Sequence, residues 1–379
     1  MNTIDTHKAL DCLSDSLKSN AQKSLGYPVA KDFDYSFLYP FLQLPLNNIG
    51  DPFTPSTYKV DTREVEREVL NFMAQLFRAP KDHWWGYVTN GGSEGNLYGL
   101  YLAREYFPKG MVYYSQATHY SVTKNLHLLD MPRVVIKAQE NGEIDYEDLR
   151  QTLQINRHIT PIIFINIGTT MKEAKDDLKK IRQMLDELAI EDYHIHADGA
   201  LSGMIAPFLT PRPAFDFADG VDSIAVSGHK FIGSPIPCGF VLVKKHLRDK
   251  IARSISYIGS EDTTISGSRN GFTPLVLWYA IKQLGKEGLA QRAQQSLQLA
   301  EYTENRLKEM GIPAWRNPNA ITVVFPDPGP EITHKWQLAV EKGITHVILM
   351  PGTDTHQINA FLEDMATTVI PKGEFAMID

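Results

Sequence analysis

The chain has 379 residues and an ordinary globular composition, with 43% hydrophobic and 22% charged residues. A net charge of −7 argues against nucleic acid as the main partner, and no apolar run is long enough to cross a bilayer. Only Cys12 and Cys238 are present, which excludes a disulfide framework and a cysteine-based metal site. Because the opening residues also lack a secretion-signal pattern, we expect a cytoplasmic protein of two or three domains.

The first 55 residues carry scattered aromatic residues and prolines with little sustained periodicity. Because so many aromatic side chains are poorly accommodated by water, we expect this segment to lie on another surface. A helix is predicted from Asp61 onward, where apolar residues recur at helical spacing as far as Phe77. Asp61 and Glu64 resemble a capping box at the start of this helix.

A glycine-rich segment, Asn90-Gly91-Gly92-Ser93-Glu94-Gly95-Asn96, connects a strand predicted over residues 85–89 to a helical stretch. Exposed N–H groups and the positive end of a helix attract anions at such a junction. Ser93 adds a hydroxyl group that can donate to the same anion. The segment is therefore predicted to bind a phosphate group.

Short apolar stretches alternate with helical patterns along most of the remaining chain. Strands are predicted over residues 111–114, 134–137, 161–167, 193–197, 221–226 and 239–243. The nearly continuous apolar character of residues 161–167 is typical of a parallel strand that is buried on both faces. The pattern predicts an α/β fold in which a large domain, residues 56–272, has a mostly parallel sheet with ligands at the strand ends.

The C-terminal part of the chain carries a different pattern. Helical patterns over residues 297–310 and 336–340 alternate with short strands over residues 321–325 and 345–349. This arrangement predicts a smaller α+β domain over residues 273–379.

Lys230 lies between Gly228 and Gly233, shortly after an apolar run that ends at Val226. Small flanking residues let the backbone approach a ligand closely, and partial desolvation lowers the pKa of a lysine amine. Such an amine is a nucleophile that can form an imine with a carbonyl group, including the aldehyde of pyridoxal phosphate. A solvated loop lysine is the simpler interpretation of Lys230 taken alone.

His194, His196 and Asp198 alternate along a predicted strand, so we expect them on one face. A carboxylate at a strand end beside a pyridoxal ring can hold the pyridine nitrogen protonated, and the small residues Gly199-Ala200 suit a flat ring on the following turn. The same three residues are also possible metal ligands, but no second cluster of ligands accompanies them, so no metal is expected.

Two motifs occur in this order: His-x-Asp-Gly-Ala at residues 196–200 and Ser-x-His-Lys at residues 227–230. Together they resemble the fold-type-I pyridoxal-phosphate enzymes of the group II amino acid decarboxylase family, and within it the short bacterial histidine decarboxylases. The resemblance covers nearly the whole chain. It implies pyridoxal 5′-phosphate bound as a Schiff base on Lys230, and conversion of L-histidine to histamine and CO2. It also implies an N-terminal arm, residues 1–55, that packs on a partner subunit in a homodimer or higher homo-oligomer.

The resemblance also implies roles for individual residues. In the family, the imidazole matching His119 stacks on the cofactor ring and touches the substrate carboxylate, Thr170 lies near the phenolic oxygen, and Ser227 bonds to the phosphate. Ser268 is a candidate for contact with the substrate side chain in a neighbouring subunit's site, although a solvated linker is an equal alternative. The implied site consists of catalytic Lys230, His119 and Asp198; cofactor-binding Gly92, Ser93, His119, Thr170, Asp198, Ala200, Ser227, His229 and Lys230; and substrate-binding His119, Tyr257 and Ser268.

The substrate rests on the resemblance alone, because an imidazole side chain needs only a modest pocket with one or two hydrogen-bond partners. Plant serine decarboxylases share the segment Gly-Ser-Arg-Asn-Gly, residues 267–271 here, and most of the other motifs. Serine is therefore the competing substrate.

A rival from another enzyme class comes from the pattern Gly-x-Ser-x-Gly at residues 91–95, which fits the nucleophile elbow of an α/β-type serine hydrolase. The order Ser93, Asp198, His229 fits the catalytic triad of such an enzyme. Short patterns of common residues recur by chance, and this alternative leaves Lys230 without a role.

Overall fold

The computed structural model describes residues 6–255 and 259–368. The chain forms two compact units: the larger is residues 29–294, and the smaller combines residues 1–28 with residues 295–379. The boundaries predicted from the sequence lie elsewhere, after residues 55 and 272. Helix α8, Phe272–Glu309, has a kink at Gly285 and extends past residue 294, so its first part belongs to the larger unit and its last part to the smaller one.

The larger unit contains nine strands and six of the helices in the described residues, besides the first part of α8. The strands are β1 Trp84–Thr89, β2 Met111–Ser115, β3 Arg133–Ile136, β4 Pro161–Asn166, β5 His194–Asp198, β6 Ser223–Ser227, β7 Gly239–Lys244, β8 Arg253–Ile255 and β9 Ser260–Asp262. The helices are α2 Arg63–Leu76, α3 Gly92–Tyr106, α4 Ser121–Leu128, α5 Tyr146–Ile155, α6 Leu178–Glu187 and α7 Lys245–Asp249.

Seven strands form one sheet in the order β1-β7-β6-β5-β4-β2-β3. All neighbouring pairs are parallel except the two that involve β7. Every residue of β4, β5 and β6 is buried, which explains the mostly apolar or small residues of β4 and β6, while β5 carries the buried polar residues His194, His196 and Asp198. The predicted α/β fold with a mostly parallel sheet is confirmed.

This topology brings several strand ends to one edge of the sheet. The carboxyl ends of β2, β4, β5 and β6 lie side by side because these strands run parallel in adjacent positions. Gly239, the first residue of β7, pairs with Thr89 on one side and Ser227 on the other. The end of β1 therefore reaches the same edge, where parallel sheets bind their ligands.

The smaller unit contains, besides the last part of α8, the elements α1 Thr6–Ala21, β10 Thr322–Pro326, α9 Pro330–Trp336, β11 Val340–Glu341, β12 Ile344–Ile348 and α10 Thr355–Thr368. Its three strands form an antiparallel sheet in the order β10-β12-β11. The predicted small α+β architecture is confirmed. No helix in the described part of the chain combines the length and the apolar character that crossing a membrane requires.

Three local predictions were wrong. The capping box at Asp61 and Glu64 is not formed, because Thr62 is the N-cap residue and Asp61 instead accepts from the Arg63 backbone and pairs with its guanidinium. The helix predicted over residues 336–340 ends at Trp336, where Gln337 adopts a left-handed conformation (φ 50°). Helix α1 lies in the opening segment, for which no helix was predicted.

A buried ion pair holds the start of the larger unit against its sheet. Glu66 on α2 is fully buried and accepts from the Val88 backbone N–H at 2.8 Å, from Asn48 Nδ2 at 2.8 Å and from the Arg269 guanidinium. Every oxygen of this carboxylate is therefore hydrogen-bonded, which is the condition under which a buried charge is tolerated.

We predict that Glu66→Ala lowers the free energy of unfolding by about 3–5 kcal/mol, because it leaves the buried Arg269 charge without a partner. Denaturant titration followed by circular dichroism measures the loss. Glu68→Ala is the matched control on the same helix, since its pair with Lys282 is exposed and should contribute about 1 kcal/mol or less. Equal losses in the two variants would contradict this assignment.

Candidate active site

The edge of the sheet brings together three of the residues predicted to be catalytic. Asp198 is the last residue of β5, Lys230 lies in the π-helical turn His229–Gly233 after β6, and His119 follows β2. The charges of the three groups act on one another: Asp198 influences both His119 and Lys230, and Lys230 influences His119. The structure thus assembles an amine, a carboxylate and an imidazole from three separate strand ends.

Lys230 is held in a turn that depends on its glycines. A side chain at Gly228 would put its Cβ 2.7 Å from Leu277 Cδ2, and Gly233 has a φ of 90°. The Lys230 carbonyl accepts from the Ala30 N–H at 3.0 Å, which fixes the backbone. Burial lowers the pKa of the Lys230 amine below its ordinary value, and the Asp198 carboxylate opposes part of this fall. A larger share of the amine is therefore neutral than in an exposed lysine.

Asp198 is buried, with only 7% of its surface exposed. Its Oδ2 accepts from Asn96 Nδ2 at 2.8 Å, and its Oδ1 accepts from the Ala200 N–H at 2.9 Å. The second bond closes a turn at the end of the strand and holds the carboxylate in one orientation. Each oxygen retains a further lone pair for a ligand.

The His119 imidazole is oriented by the start of the next helix. Its Nδ1 accepts from the Ser121 N–H at 3.3 Å and lies 2.8 Å from the Ser121 hydroxyl. Burial is the main cause of a lowered pKa at His119, which Lys230 and Lys124 reinforce and Asp198 opposes. At neutral pH the ring is therefore uncharged and carries its proton on Nε2.

The predicted phosphate loop lies at the same edge. Gly92 begins α3, and a Cβ at this position would lie 2.7 Å from Ser227 Oγ and 3.1 Å from the Ala200 Cβ. Only a glycine therefore fits between these groups. The N-terminus of a 15-residue helix supplies free N–H groups there, and Ser93 is exposed beside them. Together these groups form a cradle suited to an anion.

The other residues predicted to belong to the site lie on separate turns and loops. Thr170 is exposed on the turn after β4, and the His229 ring donates from Nδ1 to the Cys238 carbonyl at 2.7 Å. Ser268 lies on the exposed loop after β9, where its hydroxyl accepts from Asn47 at 3.1 Å. Tyr257 lies outside the described residues.

The geometry does not support the serine hydrolase alternative. Asp198 receives its hydrogen bonds from Asn96 and Ala200, while the Nδ1 of His229 bonds to the Cys238 carbonyl. The carboxylate therefore does not orient this imidazole, as a catalytic triad requires.

The metal alternative also fails. Within residues 6–255 and 259–368, no group of three or more histidine, cysteine, aspartate or glutamate side chains is placed to hold a metal ion. The imidazoles of His194 and His196 instead lie within hydrogen-bond distance of the Ser223 hydroxyl, at 3.2 and 2.7 Å.

Asn96 is the site residue that the sequence analysis missed. It lies on α3 and reaches Asp198 across a separation of 102 residues in the chain. Its position at the end of the glycine-rich segment is the one signal in the sequence. Nothing in the neighbouring residues indicates which strand end its side chain meets.

Comparisons with known proteins identify the family. The profile of a family described as "Pyridoxal-dependent decarboxylase conserved domain" matches residues 52–325. The chain belongs to this family. One similar protein is a histidine decarboxylase of Mesorhizobium japonicum, which is 52% identical over 95% of this chain and 97% of the relative. A histidine decarboxylase of Morganella morganii is 46% identical over 96% of this chain and 97% of the relative.

A solved structure of this decarboxylase type has the same architecture. The L-methionine decarboxylase of Streptomyces sp. 590 superposes with a TM-score of 0.90 at 27% identity, over 97% of this chain and 95% of the other. The fold is the fold-type-I architecture expected from the sequence, and the protein is a pyridoxal-phosphate-dependent enzyme.

The residues at the edge of the sheet fit this cofactor. The glycine cradle beside Ser227 suits a phosphate, the Asp198 carboxylate suits a protonated ring nitrogen, and the Lys230 amine suits an aldehyde. All three groups lie at the carboxyl ends of adjacent or nearly adjacent strands.

We predict that Asp198→Asn lowers the pKa of Lys230 further in protein freed of cofactor, because the carboxylate is the group that raises this pKa. Lysine labelled with ¹³C at Cε allows the titration to be followed by NMR. Asp364→Asn, which removes a carboxylate paired with Lys335 in the smaller unit, should leave the Lys230 titration unchanged. A higher pKa for Lys230 in Asp198→Asn would refute the electrostatic link.

Proposed function

We propose that the protein decarboxylates L-histidine to histamine and CO2, with pyridoxal phosphate attached through Lys230. The observation that carries the proposal is the placement of the Lys230 amine and the Asp198 carboxylate at one sheet edge, next to the glycine cradle. The substrate is inferred from relatives named histidine decarboxylase, which are 46–52% identical over at least 90% of the chain.

When bound, pyridoxal phosphate supplies the electron sink that accepts the bonding pair left behind as CO2 departs. Gly92, Ser93 and Ser227 hold its phosphate through helix N–H groups and hydroxyls. Asp198 keeps the ring nitrogen protonated, and this positive charge strengthens the withdrawal of electrons. Thr170 is assigned to the phenolic oxygen, and Ala200 and His229 line the binding site.

The amine of Lys230 would hold the cofactor through its aldehyde, and it is the group that would give way to the substrate amine and release the product. The lowered pKa of Lys230 suits this exchange, because a neutral amine is the nucleophilic form. His119, uncharged and protonated on Nε2, can donate to the substrate carboxylate. This contact would hold the carboxylate in one orientation for the loss of CO2, in which the cofactor would accept the bonding electrons and a proton would replace the carboxylate on the α carbon.

We propose that Ser268 and Tyr257 help to select the substrate side chain. Ser268 is exposed on the loop after β9 and is held by Asn47, which leaves it accessible to a ligand or a second subunit. A pocket shaped for imidazole would leave polar groups unpaired around serine, which commonly costs about 1–3 kcal/mol for each group.

We further propose that the protein is a homodimer. Helix α1 has no buried residue and exposes Leu10, Leu13 and Leu17 at helical spacing. In the larger unit, Phe37 and Tyr39 are exposed by 77% and 62%. Apolar surfaces of this kind are typical of subunit interfaces, and support an N-terminal arm, residues 1–55, that packs on a second subunit.

A cytoplasmic location is also proposed. Cys12 is exposed and Cys238 is buried, and both are free thiols. A reducing compartment maintains cysteines in this state. Recovery of the enzyme in a membrane or secreted fraction after cell fractionation would contradict the assignment.

We predict that purified enzyme releases histamine and CO2 from L-histidine and that kcat/KM for L-histidine exceeds that for L-serine about tenfold to a hundredfold or more. Chromatographic detection of the amine measures both reactions. A higher kcat/KM for serine would favour the serine alternative, and no amine from either substrate would refute the function.

Borohydride treatment gives the chemical control for the same experiment. It should couple the cofactor covalently to the peptide that contains Lys230, and Lys230→Ala should abolish this coupling. Lys244→Ala is the matched control at the end of β7 and should retain the label on Lys230. A label on another lysine would overturn the assignment of Lys230.

We predict that the wild-type protein sediments at twice the mass of one chain. Leu13→Asp combined with Leu17→Asp should shift it toward the monomer, because the substitutions place charges in an apolar interface. Ile155→Asp, at an exposed position at the end of α5, is the control and should not change the mass. Monomeric wild-type protein in analytical ultracentrifugation would disprove the dimer.

A further inference from the structure

A line of buried polar side chains extends behind Asp198, away from the residues described above. Asn96 Nδ2 donates to Asp198 Oδ2 at 2.8 Å, and Asn96 Oδ1 lies 2.9 Å from His196 Nε2. His196 Nδ1 lies 2.7 Å from the Ser223 hydroxyl, which is 3.2 Å from His194 Nε2. All five residues are buried, so each hydrogen bond must be satisfied within the chain.

The direction of every hydrogen bond in this line follows from the carboxylate. An ionised carboxylate accepts only, so the amide group of Asn96 faces Asp198 and its carbonyl oxygen faces His196. His196 must then donate from Nε2. Burial lowers the pKa of His196 to about 3, so the ring is neutral and has a single proton. Its Nδ1 is therefore an acceptor for the Ser223 hydroxyl.

At the far end of the line, this direction leaves one buried acceptor unsatisfied. Since the Ser223 hydroxyl donates to His196, it accepts from His194 Nε2. Burial also lowers the pKa of His194, so this ring is neutral and its Nδ1 has no proton. That nitrogen is a buried atom without a hydrogen-bond partner in the described part of the chain, and it lies 4.0 Å from a carboxylate oxygen of Asp222, which is also an acceptor.

The fold leaves space for this arrangement. His196 and Ser223 are paired in register between β5 and β6, which brings the imidazole to the hydroxyl. A Cβ at Gly99 would lie 2.2 Å from His196 Nδ1, so α3 approaches the ring closely because this position is glycine. Asn96 lies one helical turn earlier on the same face of α3.

We propose that Asn96 is a positioning residue that, together with His196 and Ser223, keeps the Asp198 carboxylate oriented toward the cofactor ring nitrogen. The inference rests on the proposed function of Asp198. A proton on Asp198 Oδ2 would point at the N–H groups of Asn96 Nδ2. The Asn96 amide cannot flip to avoid this clash, because its NH2 group would then face the N–H of His196 Nε2. The chain of hydrogen bonds thus fixes Oδ2 as an acceptor and leaves the remaining lone pairs of the carboxylate to the cofactor.

The test uses the holoenzyme labelled with ¹⁵N-histidine, and reads the His196 tautomer by NMR. His196 is assigned from the signal lost in His196→Gln. The expected wild-type state is neutral, with a proton on Nε2 and none on Nδ1. A proton on Nδ1, or a charged ring at neutral pH, would overturn the proposal.

Two substitutions at Asn96 separate hydrogen-bond direction from packing. Asn96→Asp keeps the size of the side chain but places a second carboxylate against Asp198, so the two share a proton. Asn96→Ala removes the link. Both variants should retain cofactor, lose kcat by about tenfold to a hundredfold, and change KM for L-histidine by less than about threefold. Asn96→Ala should also release the His196 ring from its single tautomer, whereas Asn96→Asp retains an oxygen that accepts from Nε2–H and should keep the tautomer.

Asn48→Asp is the matched control, because Asn48 is another buried asparagine that donates to a carboxylate, that of Glu66, at 2.8 Å. It should lower stability but leave the His196 tautomer as in the wild type. Wild-type kcat in Asn96→Asp, or an unchanged tautomer in Asn96→Ala, would overturn the proposal. If the wild type forms no histamine, the proposed function is wrong, while the tautomer, which is read without turnover, still decides the direction of the hydrogen bonds.

Discussion

The parallel pairing of β4, β5 and β6 is the constraint on which the site depends. It places the ends of neighbouring strands at one edge, so that Asp198 and the turn carrying Lys230 meet although they are distant in the chain. Because these strands are buried on both faces, polar groups at their ends are partly removed from water. Desolvation and the nearby carboxylate then act on the Lys230 amine in opposite directions.

The orientation of Asp198 decides which chemistry this edge supports. Its two oxygens accept from Asn96 and Ala200 and are not shared with His229, so the carboxylate cannot assist a hydrolytic serine. Lone pairs remain for a cationic partner at the same sheet edge at which the glycine cradle is suited to an anion. One end of the site is thus suited to a positive ring nitrogen and the other to a phosphate, which matches the two ends of pyridoxal phosphate.

Much of the fold was predictable because its signals are local. Buried parallel strands need continuous apolar residues, so the strands of the large sheet were placed within one or two residues. The opening helix α1 was not predicted, because none of its 16 residues is buried and its apolar residues are few. The segment 336–340 has apolar residues at helical spacing, but the left-handed Gln337 ends the helix.

The sequence by itself determined the α/β class, the glycine-rich segment after β1, and the paired motifs around Asp198 and Lys230, because each depends on residues close together in the chain. Only the tertiary structure decided which groups meet. The contacts of Asp198 with Asn96, and of His196 with Ser223, join positions 102 and 27 residues apart. The order of the strands and the close approach of α3 set these contacts. The sequence pattern contains neither kind of information, because the direction of a side chain is fixed only when the strands pair.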